Sequence, residues 1–141
     1  MSSATKILAA FGGCLLASAA TAGVQEEAPA VPSYQDLPSG LSVALQEYFV
    51  DTLPDGTGQA RFRFVAPALA QGVGFAQVEQ DFPVLCAQVA VPTLVAAGQD
   101  VAQVIISMAE KPLEFGATAP SVVQYFEAFR IENGSCIWEV F

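Results

Sequence analysis

There is no histidine in the 141 residues. That excludes Ser–His and Cys–His nucleophilic catalysis. It also removes the commonest zinc ligand and the side chain most often used as general base near neutral pH. Positive charge is scarce: five lysines and arginines stand against 14 aspartates and glutamates, a net charge of −9. A chain of that sign repels nucleic acid and anionic lipid, which bind through Lys and Arg. Neither is a predicted partner, and the acidity is read as solubility for a chain that is 53% hydrophobic.

Other chemistries fail on spacing. The three cysteines contain no Cys-x-x-Cys pair, which argues against a dithiol redox site. Ser107 precedes Lys111 by four residues rather than the three of a Ser-x-x-Lys pair. The stretch from Asp51 begins like a calcium loop. Leu53 then occupies a ligand position, and Phe62 stands where the bidentate Glu belongs. Gly72-Val73-Gly74 lacks the rest of a phosphate-loop fingerprint and reads as a turn. Carboxylates are plentiful, but their spacing names no acid–base pair. No catalytic residue, cofactor site or metal site is therefore predicted.

No apolar run reaches the ~20 residues of a membrane span. The start reads as a secretory signal: Lys6, then the apolar stretch from Ile7 to Ala20, then Ala20-Thr21-Ala22 as a small-x-small cleavage site. A lipoprotein with Cys14 as the lipid-bearing residue is the competing reading, on a weak lipobox with Phe11 where a Leu-like residue is usual. The predicted location is periplasmic or secreted. Cleavage after Ala22 leaves four basic against fourteen acidic residues, a formal charge of −10. Residues 23–39 are acidic and proline-rich and read as a flexible leader. A single domain is expected over 40–141.

Two cysteines remain in that domain, Cys86 and Cys136, and an even count in an exported chain points to one disulfide. It would close a loop of about 51 residues, worth roughly 4 kcal/mol on a chain-entropy basis.

The stretch from Leu41 to Leu53 alternates as Leu41, Val43, Leu45 and reads as a strand. Pro54 to Gly58 then breaks it with turn residues. A second strand follows, with Phe62 and Phe64 on one face and Arg61, Arg63 and Val65 on the other. The middle of the chain reads as a helix with Leu85, Cys86, Val89 and Ala90 on one stripe. Asp81 is the expected cap, Pro83 suits the first turn, Pro92 is expected to end the helix, and Gly98 to terminate a short second turn. Val101 to Glu110 reads as a buried strand, and Lys111 to Gly116 as a bend or edge segment.

Residues 121–130 fit either a strand or a helix with Ser121 and Gln124 as a capping box. Asn133-Gly134 favours the strand, because it is the preferred two-residue type I′ hairpin turn. That turn predicts Glu132 opposite Ser135, Ile131 opposite Cys136, Phe129 opposite Trp138 and Glu127 opposite Val140. Ile131, Cys136, Phe129, Trp138 and Val140 would then share one face. The predicted fold class is α+β: a mostly antiparallel sheet, in the order strand-strand-helix-strand-strand-strand. One helix packs on a face and is pinned by a Cys86–Cys136 disulfide. Arg61 and Arg63 hold half the positive charge of the mature chain on one strand face. They are the candidate partner or anion contact, against the plainer reading of a solvated face salt-bridged to nearby acids.

Four segments, RFRFVAPAL (61–69), VLCAQVAVP (84–92), VIISMAEKPLEFG (104–116) and FEAFRIENGSCIWEVF (126–141), together resemble a family of short exported bacterial proteins of unknown function. The resemblance covers nearly the whole mature domain and both of its cysteines. It implies no activity, substrate or site. Some similar sequences carry an acetolactate synthase label, which does not suit a chain far too short for a thiamine-diphosphate enzyme. The expected function is a non-enzymatic binding or protein-interaction module, with an unknown envelope protein or a small ligand as partner. The alternatives are an envelope structural or assembly factor acting through a sheet edge, and a carboxylate-dependent hydrolase.

Overall fold

A computed structural model describes Gly12, Gly13 and residues 33–140. Apart from Gly12 and Gly13, the signal with Cys14, the leader up to Pro32 and the terminal Phe141 lie outside the described residues.

Six strands form one sheet: β1 (Ser33–Tyr34), β2 (Val43–Thr52), β3 (Gly58–Val65), β4 (Gln103–Ala109), β5 (Gln124–Glu132) and β6 (Ser135–Trp138). They lie in sequence order across the sheet. Every neighbouring pair is antiparallel except β3 and β4, which run parallel. A parallel pair needs a crossover, and the helical segment between β3 and β4 supplies it. This is the predicted α+β architecture. Its central parallel pair and the short β1 were not anticipated.

Alternation sorts the two faces. Phe62 and Phe64 of β3, Val104, Ile106 and Met108 of β4, and Phe129 of β5 all turn toward the helices and are buried. Tyr48 stacks on Phe62 with ring centroids 4.9 Å apart, and Phe129 meets Trp138 at 5.8 Å. On β2 the alternation changes phase at a bulge between Leu45 and Glu47. The bulge brings Tyr48 rather than Glu47 onto the core face, so Leu45 and Tyr48 both pack there. Gly58 sits where β3 meets the chain entering β4. A Cβ there would lie 3.0 Å from the Asp100 carbonyl oxygen, and Ala102 N–H donates to Gly58 O at 2.9 Å.

The crossover contains a 3-10 turn (Pro67–Gln71), then α1 (Phe75–Val78), α2 (Asp81–Leu85), a π-turn (Cys86–Ala90) and α3 (Val91–Ala96). The predicted stripe of Leu85, Cys86, Val89 and Ala90 is buried. Pro92 does not end the helix. It has no N–H and would clash with the carbonyl four residues back. The preceding π-turn, in which Val91 N–H reaches Cys86 O, widens the backbone there. Thr93 Oγ1 donates to Val89 O at 2.6 Å, satisfying another carbonyl of that turn. Helix then continues to Ala96. Gly98, at φ +64°, closes it as predicted: Gln99 N–H donates to Leu94 O and Gly98 N–H to Val95 O, a Schellman pattern.

Asp81 does not cap. It is fully buried and makes no side-chain bond to its own helix. Its Oδ1 accepts Ser39 N–H at 2.9 Å, and its Oδ2 accepts the Ser39 hydroxyl at 2.5 Å. A buried carboxylate requires such donors, and they tie residues 37–41 to the helices. Residues 33–39, placed with the leader by composition, thus belong to the folded part. β1 pairs with Ala44 and Val43, and Leu37 is buried.

The C-terminal hairpin follows its turn. Asn133 (φ +49°) and Gly134 (φ +75°) both take the left-handed conformation that a type I′ turn requires. Phe129 faces Trp138, Ile131 faces Cys136 and Glu132 faces Ser135. Residues 124–132 are strand. The Cys86–Cys136 disulfide joins β6 to the π-turn, with Cα atoms 6.3 Å apart.

Candidate functional site

The face turned away from the helices mixes polar and apolar side chains. Register places Phe49, Arg61, Ile105 and Ala128 in one transverse row. Glu47, Arg63, Ser107 and Phe126 form the next. Both arginines stand there because the apolar partners of the β3 alternation, Phe62 and Phe64, take the core side.

This face is not bare. Residues 110–123, between β4 and β5, fold back over it. Their ends are tied together by Glu110 N–H donating to Val123 O at 3.0 Å, the signature of an Ω-loop. Gln46 Nε2 and one nitrogen of Arg63 both donate to Leu113 O, each at 2.8 Å. Phe115, at the tip, meets Phe49 edge to face at 4.8 Å. The guanidinium carbons of Arg61 and Arg63 lie 5.3 and 5.6 Å from its ring centroid, within cation–π range.

The two arginines differ in what they hold. Arg63 is 6% exposed and fully engaged, with Glu47 Oε1 and Leu113 O as acceptors. Its role is to hold the loop. Arg61 has its nearest carboxylate oxygen, Asp51 Oδ2, at 3.7 Å from Nε, an ionic contact too long for a hydrogen bond. Its Nε is buried and has no hydrogen-bond partner among the described residues. Leaving a charged donor so placed costs about 1–3 kcal/mol.

Beside Arg61 is a concavity of about 210 Å³ beneath the loop, lined among others by Arg63, Ser107, Phe115, Gln124 and Phe126. At ~30 Å³ per water it has room for about seven waters, or one small acid. Ser107, only 5% exposed, turns toward this concavity and lines it. A wider groove of about 760 Å³ continues from Arg61, Ile105 and Phe126 along Ala128 to Glu139 and Val140. Glu139 N–H donates to Ala128 O at 3.0 Å, which sets Glu139 at the far end of the Arg61 row. There Gln103 Nε2 donates to Glu139 Oε2 at 2.5 Å. Arg130 lies on the same face. Its Nε donates to Glu132 at 2.8 Å, and that bond raises its pKa above the ordinary value.

Sequence reasoning singled out Arg61 and Arg63, and the structure puts both at one concavity. It missed Phe115, Phe126 and Glu139. The β5 alternation could have placed Phe126 beside Ser107. Nothing local could have brought Phe115 to the arginines. Lys111 lies exposed in the loop after β4.

These features define an α+β domain with one face closed by disulfide-pinned helices and the other bearing a cation-lined concavity. Among the described residues no group of three or more His, Cys, Asp or Glu could hold a metal ion. None of their helices is long and apolar enough to cross a membrane. The chain belongs to a family of unknown function (DUF6497), which it matches over residues 14–141. No curated protein and no solved structure matches it.

Proposed function

We propose that this chain is exported, cleaved near Ala22, and acts outside the cytoplasm as a non-enzymatic binding module. Its ligand site is the concavity under the 110–123 loop. The Arg61 guanidinium carries this reading. Its side chain is 29% exposed beside the concavity, and its nearest carboxylate, Asp51, stands 3.7 Å from Nε. Among the described residues Nε has no hydrogen-bond partner, so the group gains from an acceptor brought by a ligand. Ser107 adds a second hydrogen-bonding group, and Phe115 and Phe126 supply apolar walls, the usual composition of a ligand site. Glu47 and Asp51 are engaged by arginines and Glu139 by Gln103, which supports binding over carboxylate-dependent hydrolysis.

The test is an NMR titration with acetate and benzoate, read at the Arg61 Nε–H resonance. Saturable shifts at Arg61 and Ser107, lost in Arg61→Gln, are expected. A resonance that stays put to tens of millimolar benzoate would refute the site. Mass spectrometry of the mature protein checks export, with Gly23 expected as the first residue.

Assembly through a sheet edge is a second reading, favoured by one observation. β1 pairs with only Val43 and Ala44 of the ten-residue β2, so β2 has no further outer partner among the described residues. Backbone groups of such an edge can accept an added strand. Concentration-dependent sedimentation checks it, and a strict monomer with no captured partner counts against it.

A further inference from the structure

We propose that the ligand is a short zwitterionic peptide, bound across the open face with its C-terminal carboxylate on Arg61 and its amino group at Glu139. This deepens the reading above and rests on it.

The open-face groove is electrically bipolar. Its Arg61 end carries a guanidinium whose Nε has no hydrogen-bond partner among the described residues and whose nearest carboxylate, Asp51, is 3.7 Å away. Ser107 lines the concavity beside it. Its other end carries Glu139, whose Oε2 accepts from the neutral Gln103 amide. Between the ends the floor is apolar: Ile105 and Ala128 in the row itself, with Phe126 beside them, 57% exposed. A simple anion would answer only Arg61, and a simple cation only Glu139. A molecule with a carboxylate at one end, an amine at the other and an apolar middle answers all three regions at once.

The spacing selects its length. Arg61 on β3, Ile105 on β4, Ala128 on β5 and Glu139 beside it stand in one row. Three strand spacings of ~4.8 Å make about 14 Å between the end positions. An extended peptide rises ~3.3–3.6 Å per residue, so about four residues span the two backbone positions, and three suffice where the long Arg61 and Glu139 side chains lean inward to meet the termini. The carboxylate end fits the smaller concavity, where Phe115 and Phe126 would flank the last side chain.

The experiment uses the whole mature protein and isothermal titration with Ala-Ala-Leu, its C-terminal amide and its N-acetyl form. The free peptide should bind about tenfold or more tightly than the amide, and several-fold more tightly than the acetylated peptide, as loss of a charge-assisted contact requires. Arg61→Gln should erase the acid-over-amide preference, and Glu139→Gln the amine-over-acetyl preference. Gln retains hydrogen-bonding groups at both positions, and circular dichroism verifies folding. Across Ala₂ to Ala₆ peptides affinity should peak at three or four residues. Equal binding of acid and amide overturns the proposal, as does a preference that survives Arg61→Gln or no saturation by the peptide. If benzoate still titrates Arg61 in those cases, the binding site stands and only its peptide ligand falls. If neither titrates Arg61, both fall.

Discussion

The two faces of one sheet are built to opposite rules. On the helix side, Phe62, Phe64, Ile106, Met108 and Phe129 are closed off from water. The partners there come from a continuous helical segment stapled by a disulfide. On the open side the cover is a single loop, held through the Leu113 backbone and the Phe115 ring. The first face carries stability, since each fully buried large side chain contributes about 1.5–3 kcal/mol. The second tolerates an unsatisfied arginine donor and two half-exposed phenylalanines, Phe115 and Phe126.

The largest effect that could break this contrast is a matched pair of truncations. Phe62→Ala should cost about 3–5 kcal/mol in urea denaturation, as removal of a core aromatic does. Phe126→Ala, on the open face, should change stability by less than about 1 kcal/mol while weakening any ligand that uses the groove. Equal losses would mean that the open face is as structural as the covered one.

Removing the staple is next. Cys86→Ala with Cys136→Ala should cost roughly 2–4 kcal/mol, without altering the hairpin register seen by NMR, because that register comes from the Asn133-Gly134 turn. Smaller again is the contrast between the arginines. Arg63→Ala should cost about 1–3 kcal/mol and free the loop, seen as faster amide exchange over residues 110–123, because it strips a donor from Leu113 O and from Glu47. Arg61→Gln should not lower stability, and should raise it by up to about 1–3 kcal/mol as the unsatisfied donor is removed, while weakening any ligand held at Arg61.

The smallest effect lies at the β2–β3 turn, outside both faces. There the Thr57 hydroxyl donates to Asp55 Oδ1 at 2.6 Å and the Thr57 N–H at 2.9 Å. The hydroxyl first, then the N–H, holds the Asp55 carboxyl below its ordinary value of 3.8. Its stabilising contribution is therefore full above the unfolded pKa and disappears as pH falls through the lowered folded one. Carboxyl NMR should show the Asp55 midpoint rising toward 3.8 in Thr57→Val.

Much of the covered face was legible beforehand. Two-residue alternation put Phe62 and Phe64 inward, helical spacing put Leu85 and Cys86 on one stripe, and an Asn-Gly turn set which residues face each other in the last hairpin. Where reading failed, a longer-range contact overrode a local rule. Pro92 should have stopped a helix, but the π-turn before it accommodates its ring. Asp81 should have capped, but Ser39, forty-two residues earlier, occupies both its oxygens.

The sequence by itself determined which side chains share a face and how the chain turns, because those outcomes follow from dihedral preferences and spacing within a few residues. It determined that two arginines would stand together on β3. Only the tertiary structure decided that they differ. The loop that engages Arg63 and leaves Arg61 Nε without a hydrogen bond among the described residues is held by hydrogen bonds spanning 50 and 67 residues of sequence. Its position depends on β3 and β4 lying side by side in parallel and on β2 presenting Gln46 and Phe49 at the right point, a coincidence of three strands that no local pattern encodes.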